Sequence, residues 1–105
     1  MDDEDLTNPV VRGVIEAMHA GDQAAFLAAF ADDVELTDDG TPQPFAEWAQ
    51  REIFDNHGRL EVTDEEEEGM HLAGPFHSDQ WGTFLTVWKF QLHDAKVIRL
   101  DVSAA

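Results

Sequence analysis

The sequence has 105 residues, of which 43% are hydrophobic, and it contains seven phenylalanines and three tryptophans. A chain of this length and apolar content forms one domain with a core, which excludes both a second domain and a disordered chain. Its 23 acidic residues outnumber 6 basic ones and give a formal charge of −17. A surface this negative repels phosphate backbones and anionic lipid head groups, so we expect neither nucleic acid nor membrane as a partner.

The sequence features that bear on location indicate the cytoplasm. There is no cysteine, so no disulfide or thiolate site can form. No apolar stretch approaches the roughly 18–20 residues that span a bilayer, and residues 1–8 form an acidic tail where a secretory signal would be basic. The excess of acid would also suit a high-salt cytoplasm, and that alternative stays open. A single domain is expected over residues 9–105.

Three helices are predicted in the first half of the chain. Asn8 and Pro9 are typical of a helix start, and the apolar residues that follow recur at three- and four-residue spacing until Gly21, which predicts a helix over 9–20. Asp22 caps a second, shorter helix whose buried face includes Phe26 and Phe30. A third helix begins near Pro44. Its apolar side consists of Phe45, Trp48, Ala49 and Ile53.

The remaining segments alternate as strands do. One strand is predicted over 34–37, and after Arg59 further strands are predicted from Leu60, over 70–76, over 81–92 and over 96–102. The resulting order is α-α-β-α-β-β-β-β. Helices followed by a run of strands predict an α+β fold in which helices cover one face of a curved antiparallel sheet.

Several of these segments carry a family resemblance. Residues 17–22 (Ala-Met-His-Ala-Gly-Asp), residues 30–34 (Phe-Ala-Asp-Asp-Val) and Asp38 at the end of the first strand together resemble the opening of the nuclear transport factor 2-like superfamily. That group includes the SnoaL-like polyketide cyclases and the ketosteroid isomerases. The resemblance in element order covers residues 9 to 102. It is specific for fold and not for function, because isomerases, cyclases, dehydratases and proteins that only bind share this fold.

The resemblance implies a cystatin-like cone, in which the sheet wraps around the helices and leaves an apolar cavity open at one end. It also implies that the outer sheet face pairs with a second copy of the chain. The long strand 81–92 supports this independently, because Leu85 and Val87 share the face opposite Phe84 and Trp88. Apolar residues on both faces need cover, so we expect a homodimer through the outer sheet face.

Asp38 is the candidate catalytic residue. The resemblance places it where the ketosteroid isomerases carry their carboxylate base, at the mouth of the cavity. A carboxylate against an apolar cavity is harder to ionise and is therefore a better proton acceptor. Asp38-Asp39-Gly40 is also ordinary turn chemistry, so a role as a turn residue stays open beside the role of general base.

The second part of isomerase chemistry departs from the family pattern. The resemblance implies a tyrosine hydroxyl and a protonated aspartic acid that stabilise the enolate oxygen. Here the tyrosine's place falls on Val14 and the second acid's place falls near Thr86, and the chain has no tyrosine. Losing one such donor commonly costs about 10²–10³ in rate, which argues against steroid isomerisation unless other donors substitute. The candidate substitutes are Thr86, His71, His77 and the indole N–H of Trp48 or Trp88.

The resemblance also suggests which side chains line the cavity. The predicted lining is Val14, Met18, Trp48, Phe84, Thr86 and Trp88. Phe54, Phe76, Trp81 and Phe90 could line it as well, although a small domain needs such residues simply to fill its core. His71 and His77 lie roughly 20 Å apart along a strand and cannot share a metal ion, so we expect no metal and no cofactor.

Two functions from different classes follow. The first is a pocket protein that binds or transforms a small hydrophobic molecule, with Asp38 as the proton acceptor of an isomerase- or cyclase-like reaction. The alternative is a non-catalytic ligand-binding or dimerisation module whose pocket is largely filled by Trp and Phe side chains. The position of Asp38 relative to a cavity separates the two.

Overall fold

A computed structural model describes all residues from Met1 to Ala105. The helices are α1 (Pro9–Ala20), α2 (Gln23–Ala28) and α3 (Phe45–Ala49), and α3 continues as a π-helical turn over Gln50–Phe54. The strands are β1 (Phe30–Asp38), β2 (Thr41–Gln43), β3 (Arg59–Leu60), β4 (Asp64–Glu66), β5 (His71–Ser78), β6 (Gly82–His93) and β7 (Lys96–Ala104). The predicted α+β cone is confirmed as three helices on a curved, open sheet of seven strands.

The predicted helix signals act as expected. The Asn8 side chain accepts hydrogen bonds from the backbone N–H groups of Val10 and Val11, at 2.9 and 3.2 Å. Gly21 ends α1 in the left-handed conformation, with φ of 69°, which glycine adopts without strain. Asp22 caps α2 through the N–H of Ala25 at 3.1 Å. None of the helices is both long and apolar enough to cross a membrane.

The first strand is longer than predicted. Phe30, which the sequence placed on the buried face of α2, is the first residue of β1, and it remains buried. Its ring lies 4.2 Å from that of Phe45 and 5.1 Å from that of Phe26, measured between centroids. A buried aromatic residue fits the apolar pattern of a helix as well as that of a strand. Periodicity alone therefore assigned Phe30 to the wrong element.

The sheet is mixed and not purely antiparallel as predicted. Its strand order is β2-β1-β7-β6-β5-β3, with β4 paired to β5. β1 and β7 run parallel, with Asp38 opposite Val102, whereas the other pairs are antiparallel. A parallel pair needs a long crossover connection, and here the crossover comprises all the elements between the two strands. This pairing brings the end of β1 beside the end of β7.

The core lies between the helices and the inner sheet face. α1 contributes Val11, Val14, Ile15 and Met18, all of them buried. The inner face of β6 contributes Thr86, Trp88 and Phe90, whereas Leu85 is exposed on the other face, which confirms the predicted two sides of that strand. The cone is therefore packed with side chains over most of its depth.

Residues 1–8, predicted as an acidic tail, pack against the rest of the domain. Asp3–Asp5 form a short 3-10 helix, and Leu6 is only 2% exposed. The Asp3 carboxylate lies 2.7 Å from Nδ1 of His19, and Nε2 of the same ring lies 3.0 Å from the carbonyl oxygen of Leu60. His19 thus joins α1, β3 and the N-terminal segment.

Candidate functional site

One pocket combines apolar walls with the candidate acid, and we call it the Asp38 pocket. It has a volume of about 470 Å³, within the range of ligand sites in proteins. It lies where the ends of β1 and β7 meet α3 and the start of β6. Its lining consists of Asp38, Asp39, Trp48, Glu52, Phe76, Trp81, Phe84, Thr86, Trp88, Val102, Ser103 and Ala104.

Asp38 is held in this wall by a tryptophan. The indole Nε1–H of Trp48, which is buried at the base of α3, donates to Oδ2 of Asp38 at 2.9 Å. Oδ1 of Asp38 receives no hydrogen bond from the protein, and the side chain has no basic partner within ion-pair distance. One carboxylate oxygen is therefore positioned, and the other is free to accept from a ligand.

The turn after Asp38 is made by the next two residues. Asp39 and Gly40 adopt positive φ values of 50° and 83°, and these are the conformations that a tight hairpin turn requires. Oδ1 of Asp39 accepts the backbone N–H of Ala104 at 2.8 Å, and the N–H of Asp39 donates to the carbonyl of Val102. These bonds fix the pocket rim against the end of β7. Asp38 itself is the last residue of β1.

The three indole N–H groups and the threonine hydroxyl that line the pocket already have acceptors. The indole N–H of Trp88 donates to Oγ1 of Thr86 at 3.0 Å, and the Thr86 hydroxyl donates to the carbonyl of Gly74 at 3.0 Å. The indole N–H of Trp48 donates to Asp38 at 2.9 Å, and that of Trp81 donates to Glu52 at 3.0 Å. A substrate oxygen would therefore compete with existing acceptors for any of these donors.

Two aromatic side chains at the mouth of the pocket are open to solvent. Trp81 is 60% exposed and Phe84 is 40% exposed, although both are large and apolar. Trp81 lies in the turn before β6, where the sequence predicted the start of the strand. Exposed aromatics next to a cavity are typical of a surface that binds another molecule.

Most of the predicted lining is brought together, with two exceptions. Asp38, Trp48, Phe84, Thr86 and Trp88 line one pocket. Val14 and Met18 do not, because α1 contributes no residue to it. The indoles of Trp48 and Trp88, with centroids 6.0 Å apart, are both buried and fill part of the interior.

The histidines proposed as substitute donors lie elsewhere. His77 contacts Thr83 through Nδ1 at 2.8 Å and borders a separate surface pocket with Arg59 and Glu61. His71 is opposite Lys89 in the sheet and does not line the Asp38 pocket. No group of three or more histidine and carboxylate side chains is arranged to hold a metal ion.

Sequence reasoning did not find Asp39 as a pocket residue, nor Glu52 and the segment 102–104. Glu52 lies between Ala49 and Ile53 of the predicted apolar side, within the π-helical turn, and its side chain lines the pocket. The residues 102–104 reach the site because β7 runs parallel to β1, a pairing with no local sequence signal. Phe76 and Trp81, which the sequence offered as possible lining, are part of the wall.

An ion-pair cluster lies on the other face of the sheet. Arg99 donates to both carboxylate oxygens of Asp101, from Nε at 3.0 Å and from Nη2 at 3.1 Å, and its Nη1 donates to Glu35 at 2.7 Å. The hydrogen bond from Arg99 holds the pKa of Asp101 below its ordinary value. The same pairing raises the pKa of Arg99. This cluster stabilises the junction of β1 with β7 and not the pocket.

Known structures share this architecture. A provisionally assigned polyketide cyclase from Sinorhizobium meliloti aligns with a TM-score of 0.79 at 16% identity, over 97% of this chain and 99% of its own. A provisionally assigned ketosteroid isomerase from Kribbella flavida aligns with a TM-score of 0.74 at 17% identity, over 95% of this chain and 78% of its own. The chain has the nuclear transport factor 2-like fold.

Other comparisons add detail to this result. A computationally designed binder of 17-OHP aligns with a TM-score of 0.69 at 17% identity, over 89% of this chain and 86% of its own. No protein-family model matches the chain. No curated protein matches it either. The resemblance read from residues 17–38 is therefore confirmed at the level of fold, and identities this low carry no function with them.

Proposed function

We propose that the chain binds a small hydrophobic molecule in the Asp38 pocket and that Asp38 is the proton acceptor facing it. The observation that carries this proposal is the Asp38 carboxylate, which lines an aromatic pocket of about 470 Å³ with one oxygen bonded to Trp48 and the other unbonded. The fold supports it, because structures of this fold include provisionally assigned cyclases and isomerases and a designed 17-OHP binder.

A second candidate function is binding without catalysis. It is favoured by the donors described above, since Trp48, Thr86 and Trp88 already donate to protein acceptors, and a developing enolate oxygen would have to compete with those acceptors. Electrostatic stabilisation of that oxygen is commonly worth about 10²–10³ in rate for each donor. The two candidates share the pocket and differ in what Asp38 does there.

Binding is tested by native mass spectrometry of the freshly purified protein. Ala104 lines the pocket and Ala105, its neighbour, does not, so Ala104→Trp fills the pocket and Ala105→Trp is the matched control. We expect a retained small molecule, or added 2-tetralone, to bind the wild type and Ala105→Trp and not Ala104→Trp. Equal binding by Ala104→Trp, or no binding by the wild type, contradicts the proposal.

Catalysis is tested with the same ketone. If Asp38 removes a proton next to the carbonyl, the wild type exchanges the acidic C1 hydrogens of 2-tetralone for deuterium, as followed by NMR. A positioned general base contributes about 10²–10⁴ in rate, so Asp38→Asn should lower the exchange by about 10²-fold or more. Exchange at equal rates in the two proteins assigns the pocket to binding alone.

We also propose that the chain forms a homodimer through the outer face of the sheet. Leu85 is 60% exposed there, and Val87 lies beside it on β6. Their partners across the β5 ladder are Pro75 and Ala73, so the four side chains form an apolar strip. Apolar surface of this kind in an antiparallel sheet is stabilised when a second surface covers it. A cytoplasmic location without a cofactor stays a prediction of the sequence.

A further inference from the structure

The Asp38 pocket carries negative charge and no positive charge. Of its 12 lining residues, Asp38, Asp39 and Glu52 are acidic, and none of the chain's lysines, arginines or histidines is among them. The other two sizeable pockets differ, because both include His19 and Arg59. We call Asp38, Asp39 and Glu52 the acidic rim.

Little of this charge is compensated by the protein. Asp38 and Asp39 form no ion pair, and the one ion pair of the rim joins Glu52 to Arg51, whose Nε lies 3.1 Å from the Glu52 carboxylate. Arg51 is itself exposed and does not line the pocket. The Glu52 side chain is only 18% exposed, and its other oxygen accepts the indole N–H of Trp81. Charges that are partly removed from water attract a counter-charge more strongly than charges in bulk solvent.

The aromatic walls add to this preference. Trp81 and Phe84 present exposed rings at the mouth, and Trp48, Phe76 and Trp88 lie deeper. The face of an aromatic ring is negative, so a cation positioned over it is attracted, and tryptophan is the strongest of these partners. An apolar body would occupy the same surfaces through burial of its area. Rings and carboxylates together suit a molecule with an apolar part and a positive end.

We propose that the ligand of the Asp38 pocket is a hydrophobic amine in its protonated form, with its ammonium group at the acidic rim and its apolar part against the tryptophan and phenylalanine rings. This inference rests on the proposed function, which requires only that a small hydrophobic molecule enters the pocket. The inference specifies that this molecule is positively charged, which the proposed function leaves open. An anionic ligand such as a carboxylate is disfavoured, because it meets three acids and no base.

The test uses three molecules with one apolar scaffold. They are 4-phenylbutylamine, 4-phenylbutanol and 4-phenylbutyrate, which are positive, neutral and negative at pH 7. Isothermal titration calorimetry at physiological salt should give the amine about a tenfold lower Kd than the alcohol. The carboxylate should bind more weakly than the alcohol.

Two double variants separate the rim from the overall charge of the protein. Asp39→Asn with Glu52→Gln removes two rim charges and keeps the oxygens that accept from Ala104 and Trp81. Asp32→Asn with Asp94→Asn removes two charges at the opposite end of the sheet. We expect the preference for the amine to fall below about threefold in the rim variant and to stay near tenfold in the control.

The outcomes distinguish this inference from the function on which it rests. If the alcohol binds as tightly as the amine, the pocket takes hydrophobic molecules and the inference is overturned while the proposed function stands. If the preference survives in the rim variant or falls equally in the control, the acidic rim is not its source and the inference is overturned. If none of the three molecules binds, both fail.

Discussion

The hydrogen bond from Trp48 to Asp38 is the contact that most directly connects the packing of the domain to its candidate site. Replacing Trp48 by phenylalanine keeps an aromatic ring against Trp88 and removes the indole N–H that donates to Asp38 at 2.9 Å. A hydrogen bond to a charged group contributes about 1.5–3 kcal/mol, and the smaller ring leaves a void that costs about 1 kcal/mol more. Asp38 is only half-buried, so water weakens the bond and its contribution lies at the low end of that range. We therefore expect a total loss of about 2–3 kcal/mol in the free energy of unfolding.

The control is the same substitution at Trp81. Its indole N–H donates to a carboxylate at a similar distance, 3.0 Å, but the residue is 60% exposed. Exposed substitutions of this kind usually change stability by no more than about 0.5 kcal/mol. Urea unfolding followed by circular dichroism measures both variants. Equal losses for Trp48→Phe and Trp81→Phe would refute the assignment of a buried, charge-assisted bond.

A double-mutant cycle with Asp38→Asn isolates the charge. Asparagine keeps an oxygen that accepts the indole N–H but removes the negative charge, and bonds to ionised groups are about twice as strong as neutral ones. The Trp48→Phe substitution should therefore cost about 1 kcal/mol less in the Asp38→Asn background. A coupling of zero would mean that the two side chains act independently.

Three further predictions concern the frame around the pocket. A Cβ at Gly74 would overlap the backbone of Glu61, so Gly74→Ala should lower the free energy of unfolding by at least about 2 kcal/mol, as measured in urea. The control is Gly13→Ala in open space on α1, which should raise it by about 0.5–1 kcal/mol. Leu85→Lys should convert the proposed dimer to a monomer, as measured by light scattering after size exclusion. Gln91→Lys on the same face of the sheet should leave the protein dimeric. A monomeric wild type would contradict the proposed dimer. Asp101 has a lowered pKa in the folded state, so its stabilisation is complete above its unfolded pKa near pH 4 and is lost as the pH falls below that value. The difference in unfolding free energy between the wild type and Asp101→Asn should therefore shrink from pH 7 to pH 3, and a constant difference would contradict the ion pair.

The parts of the fold that local chemistry determines were predictable. Asn8, Gly21 and Asp22 cap the helices through bonds to groups within a few residues, and such contacts depend only on neighbouring sequence. Phe30 was misassigned because its nearest aromatic neighbour is not Phe26, four positions away, but Phe45, which lies 15 positions away along the chain. Packing against residues far along the chain can place a residue in a different element from the one that the local apolar spacing predicts.

The candidate site was predictable only in part, for a similar reason. The residues of α3 and β6 were found because each lies on the apolar face of its own element. Glu52 and the segment 102–104 enter the pocket through a π-helical turn and a parallel strand pair, and neither leaves a pattern in the sequence. Val14 is buried on the apolar face of α1, yet no residue of that helix lines the pocket. Periodicity identifies a buried face, and packing decides which part of that face reaches a cavity.

The central claim, that the Asp38 pocket binds a small hydrophobic molecule, is tested most directly through the tryptophans. The chain has three, and all of them line this pocket, so its nitrogen-15 spectrum contains three indole signals that report on one site. Titration with 4-phenylbutanol should shift all three signals along one saturating curve. In Ala104→Trp, which adds a fourth indole signal, the original three signals should not shift. Saturating concentrations that move none of the three signals, or only that of the exposed Trp81, would contradict the account.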